Sequence, residues 1–153
     1  MALSLLPRLS QVFAGIARLA SLDTLLGGGS EEVERVYMSA NLYKHSRTGD
    51  VNVVDLTLPH TLDIDEFDRL NEAILELIRG EPEGHWVFDL SQLSYMGSAA
   101  LGLLVNLRQQ IKQSGGRLVL CGLSPQLLHI FKTCCMEKLF KIVKSRKDAV
   151  AIC

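Results

Sequence analysis

"WVFDLSQLSYMGSAALGLLVNLRQQIKQSGGRLVLCGLSP", Trp86 to Pro125, contains a complete strand, helix and strand. The run from His85 to Leu90 is short, apolar and unbroken, the pattern of a strand buried on both faces and therefore central in its sheet. From Ser98 to Gln113 apolar residues recur at helical spacing, with Leu101, Leu104, Val105 and Ile111 expected inward and a stop at Ser114, Gly115 and Gly116. Arg117 to Leu123 follows directly as a second buried strand. A strand, a crossover helix and a further strand imply parallel pairing through a right-handed connection.

Upstream, Val36 to His45 and Val51 to Leu58 read as two strands, the second alternating with period two, around a turn at Arg47 to Asp50 in which Gly49 is the permissive residue. Asp63 then precedes a helical pattern with Glu66 three residues later, a capping-box spacing. Phe67, Leu70, Ile74, Leu77 and Ile78 share one face of that helix, and Gly80 ends it. Downstream, Ser124 is an N-cap before Pro125 at the first helical position. Leu139 to Val143 reads as an edge strand, and Ser145 and Asp148 suit the start of a short final helix. The alternation predicts an α/β domain over residues 36–153: a mostly parallel sheet of four to five strands flanked by helices.

Residues 1–29 have a different composition. They are rich in Leu and Ala and end in Gly27 to Gly29, a linker composition. If Pro7 opens a helix, Leu6, Leu9, Val12, Phe13, Ile16, Leu19 and Ala20 share a face. Residues 5–26 then form an amphipathic extension that docks on a partner, a twin copy or a membrane surface, folds back on its own domain, or frays. The broken apolar run does not suit a signal peptide.

Composition narrows the function. A net charge of −1 provides no basic field of the kind that draws proteins to nucleic acid, and no apolar run is long enough for an integral membrane segment. Cys121, Cys134, Cys135 and Cys153 form no CxxC pair, so neither zinc-ligand spacing nor a disulfide framework is expected, and a reducing cytoplasm is the natural setting. The adjacent Cys134 and Cys135 are read as small buried hydrophobes in preference to redox sensors. No phosphate-cradling glycine loop is present. Ser98 lies in no GxSxG elbow, and none of His45, His60, His85 and His129 is spaced as its base, so an enzyme is not expected.

Three pieces carry a family resemblance: VNVVDLTLPHTLD (51–63), the stretch from Trp86 to Pro125, and LLHIFKTCCMEKLFKIV (127–143). Together they resemble a STAS domain, the module named for sulfate transporters and anti-sigma factor antagonists. The most specific features are a strand ending in Asp-Leu, a hydrophobic pair ahead of a serine, a Leu-Gly helix start, a double glycine and a strand ending in Ser-Pro. The resemblance implies a STAS-like fold with no cofactor and no metal. It also implies a regulator whose unmodified form holds an anti-sigma factor serine kinase and whose phosphorylated form releases it. Ser98 matches the family's phosphorylated serine, and Asp63 matches an acid near the partner surface. A helix start tolerates a phosphate through its free amides and dipole, so the effect of the mark falls on the partner interface. Asp63, Gly97, Ser98, His60 and Thr61 are accordingly expected to form one partner-binding patch.

The local chemistry leaves other duties open. Ser98 suits an N-cap and Asp63 a capping carboxylate. The family's usual motif has Asp before this serine and Ser-Gly after it, whereas here Gly97 precedes Ser98 and Ala99 and Ala100 follow. That departure suits a tight strand-to-helix junction but removes a carboxylate from the kinase-recognition segment. It also supports the alternative of an unphosphorylated scaffold or accessory subunit of a transporter or signalling complex.

Overall fold

The computed structural model describes residues 42–153, so expectations for residues 1–41, including the amphipathic extension, lie outside the described residues. Strands β1 (Tyr43–Thr48), β2 (Val51–Leu56), β3 (His85–Asp89), β4 (Arg117–Cys121) and β5 (Lys141–Val143) form one sheet in that order. β1 pairs antiparallel with β2 and all other pairings are parallel. The helices are α1 (Ile64–Gly80), α2 (Ser98–Gln113), α3 (Pro125–Thr133) and α4 (Arg146–Ile152).

The strand order has a geometric consequence. Because β2, β3, β4 and β5 advance steadily across the sheet, right-handed crossovers place α1, α2 and α3 on the same face. Alternation then divides the side chains: Val54, Leu56, Trp86, Phe88 and Leu120 pack under these helices, while Val51, Val53, Val87, Val119 and Cys121 form a second cluster with Ala149 of α4. β3 lies at the centre, and each fully buried side chain such as Phe88 or Leu104 contributes roughly 1.5–3 kcal/mol.

Several expectations need correction. The first strand continues through Thr48, and Thr48 pairs with Val51, so the turn contracts to Gly49 and Asp50, with Gly49 at φ +61. β2 is buried on both faces despite its alternating pattern, Asn52 included. Asn52 is satisfied there: its Oδ1 lies 2.9 Å from Nε2 of His45 and its Nδ2 donates to Glu81 at 2.7 Å, while the His45 ring stacks on Trp86. The buried stripe of α2 is Ala100, Leu103, Leu104, Leu107 and Ile111, whereas Leu101 and Val105 flank it half-buried. Cys134 and Cys135 are exposed, because α3 ends at Thr133 before they could share its inward face.

Candidate functional site

The loops leaving β2 and β3 come together at the carboxyl ends of the strands, the usual location of binding crevices in parallel α/β sheets. Between them lies a cleft of about 520 Å³. Leu58 to Asp63, with Ile64 and Phe67 of α1, line one side, and Tyr95, Met96 and Gly97, with Ala99 and Ala100 of α2, line the other. Asp63, His60, Thr61 and Gly97 are thus brought into one cleft, and Ser98 stands exposed next to its edge.

Each wall is set by local chemistry. Asp63 caps α1 reciprocally: its Oδ1 accepts the Glu66 N–H at 2.7 Å, and the Asp63 N–H donates to Glu66 Oε2 at 3.1 Å. On the other wall the N-cap is Gly97, in extended conformation at φ −80 and ψ 173, and Ser98 is the first residue of α2. The alternative duty of Ser98 as an N-cap is therefore not the one it has here. Met96, the residue before the cap, is buried in the core. The first intrahelical bond runs from the Leu101 N–H to the Gly97 carbonyl at 3.1 Å, which leaves the N–H groups of Ser98, Ala99 and Ala100 without an intrahelical acceptor.

The sequence reading did not identify the cleft's apolar surface. Ile64 is 80% exposed and Tyr95 51% exposed, one on each loop-to-helix junction. Tyr95, a large aromatic in a loop, was the readable signal, whereas Ile64 shares the helical face of the buried Ile78 and Leu75 and is exposed at the first position of α1. An apolar surface with free amides at its edge suits protein docking and can be altered by one added anion. Among the described residues, no group of three His, Cys, Asp or Glu side chains could hold a metal ion, and no helix is long and apolar enough to cross a membrane.

A second polar cluster braces the sheet from its other face. Asp89 is 5% exposed; its Oδ1 accepts the Ser91 N–H at 2.9 Å and its Oδ2 accepts Arg146 Nε at 2.8 Å, while Arg146 also binds Asp55. Burial opposes ionisation of Asp89, yet the Ser91 hydrogen bonds and the Arg146 guanidinium together hold its carboxyl below the usual carboxylate range. The neighbouring Cys121 thiol is pushed up to about 12, first by burial and then by the Asp89 charge, which disfavours its thiolate.

Comparison with known proteins adds three likenesses and one family. The STAS domain family profile matches residues 42–149. A Bordetella bronchiseptica protein, provisionally named anti-sigma factor antagonist BtrV, is 35% identical over 80 residues, covering 52% of this chain and 69% of the relative. A STAS domain protein of Planctomyces limnophilus, solved as an anti-sigma factor antagonist, superposes with a TM-score of 0.63 at 19% identity over 72% of this chain and 96% of that one. The Bacillus cell fate determinant SpoIIAA, solved in its phosphorylated form, gives a TM-score of 0.54 at 19% identity over 71% and 96% of the two chains. At such identities the structures attest the fold alone.

Proposed function

Because the chain belongs to the STAS domain family, with a protein provisionally named anti-sigma factor antagonist among its sequence relatives, we propose that it is a non-enzymatic cytoplasmic regulator of this class, switched at Ser98. In this reading the unmodified protein holds an anti-sigma factor serine kinase against the cleft, and phosphorylation of Ser98 ends the hold. The observation that carries the reading is the position of Ser98. Its residue is exposed at the first position of α2, next to an apolar cleft and three amides that lack intrahelical acceptors. A phosphate there gains from the amides and the helix dipole within the domain. The same charge of about −1.5 to −2 is costly in an apolar interface with a partner, so the mark alters binding without unfolding the protein.

Capture from native lysate tests this reading, with mass spectrometry of both the retained proteins and Ser98. Ser98→Ala should retain the kinase and carry no label, while Ser98→Asp should lose it by tenfold or more, about 1.4 kcal/mol. Both variants should keep the wild-type circular dichroism and melting temperature. Equal retention by wild type and Ser98→Asp contradicts the switch. Gly97 in place of the family's usual acid favours a second reading, the unphosphorylated scaffold. Retention of transport or signalling components, with Ser98 unlabelled, supports it.

A further inference from the structure

The near-neutral chain conceals a divided domain. Residues 42–91 carry eleven acids and four bases, a net of −7, whereas residues 92–153 carry two acids and nine bases, a net of +7. Since the strands lie in chain order, the division runs across the sheet, with β1, β2 and α1 on the acidic side and β4, α3 and β5 on the basic side.

Each side has a defined surface. On α1 the acids Asp65, Asp68, Glu72 and Glu76 follow a spacing of three, four and four residues, so they form one exposed stripe, bordered by the half-buried Arg69 and with Arg79 paired to Glu72 at 2.8 Å. At the other side lies a trough of about 500 Å³. It exists because β5 pairs only with Val119 to Cys121, leaving the edge of β4 at Arg117 and Leu118 uncovered by β5. Arg108, Lys112, Arg117 and Lys141 line it, no carboxylate does, and Leu139 and Ile152, 41% and 44% exposed, supply apolar contact. Cations along an open strand edge repel a copy of the same edge, so edge-to-edge pairing is disfavoured. They attract an acidic surface, and the chain itself carries one on α1.

We propose that copies of this protein associate head to tail, the basic trough of one seated on the acidic α1 stripe of the next. Such a contact is heterologous: it closes into a ring or extends into a short fibre according to its rotation. It is electrostatic and therefore weak and salt-sensitive, since added salt contracts the Debye length from about 10 Å at 0.1 M to about 3 Å at 1 M. The surfaces used lie apart from the Ser98 cleft, except at the amino-terminal end of α1.

Sedimentation velocity of the full chain at about 100 μM, in about 0.05 M and about 0.5 M salt, tests the proposal. Concentration-dependent association should appear at low salt and weaken at least tenfold at high salt. Lys112→Glu with Arg117→Glu should sediment as a monomer, as should Asp68→Lys with Glu72→Lys, each with unchanged circular dichroism. An equimolar mixture of the two double variants should associate again, because the reversed charges complement each other. A wild type that is monomeric at both salt concentrations overturns the proposal, and so does association that survives either reversal.

Discussion

Gly97 decides how the switch segment is built. Its extended backbone needs no glycine, and a Cβ added there would meet only the Tyr95 ring, at an ordinary 3.9 Å. The position is also an N-cap, where Asp can accept from the free amides of the first turn, so Gly97→Asp should raise stability by a few tenths of a kcal/mol. It also restores the carboxylate usual in the family, and we expect faster phosphate transfer to Ser98. Melting temperature and initial rate check the two effects separately. A lower melting temperature contradicts the structural account, and an unchanged rate contradicts the role given to the missing acid. Sequence reasoning left the cap open as an alternative duty of Ser98, because serine is among the preferred capping residues. The backbone instead makes Gly97 the cap and Ser98 the first helical residue, which the preference of serine for cap positions does not encode.

At the scale of elements, α4 shows what was legible and what was not. Its Ser145 cap was readable, because the hydroxyl that accepts the Asp148 N–H at 3.1 Å is three residues away. The Arg146 link to Asp55 and Asp89 was not, because the partners lie 91 and 57 residues distant. Arg146 is in the first turn of α4, where the helix dipole disfavours a cation, and its two carboxylate partners offset that cost. The folded-state value of Asp89 lies below its unfolded value. Its contribution is therefore fully present above the unfolded pKa of about 3.9 and is lost as pH falls through the lower folded value. Asp89→Asn should cost about 1–3 kcal/mol at neutral pH and flatten the fall in stability below about pH 4. Denaturant titrations across pH measure both, and an undiminished acid slope in the variant contradicts the clamp. The helix boundaries of α2 were readable in full because Gly115 and Gly116 stop it, but its phase was displaced by Leu101 and Val105, apolar residues that flank the buried stripe.

At the scale of the whole molecule, periodicity and punctuation were enough for the sheet, its central strand and its flanking helices. The clustering of Asp63, His60, Thr61 and Gly97 followed from the rule that strand ends meet helix starts on one edge of a parallel sheet. The apolar character of the cleft did not, since exposure of Ile64 and Tyr95 depends on where the loops end. Strands β1 to β5 and the four helices close a core among residues 42–153. Deleting residues 1–28 should therefore leave a chain with a single cooperative melting transition, and aggregation or loss of cooperativity would show that the amino-terminal segment is required for folding. The central claim concerns Ser98 and is tested most directly by the affinity of the unmodified and the stoichiometrically Ser98-phosphorylated protein for the same purified partner. The account predicts at least tenfold weaker binding after phosphorylation with the fold intact; equal affinities would contradict it.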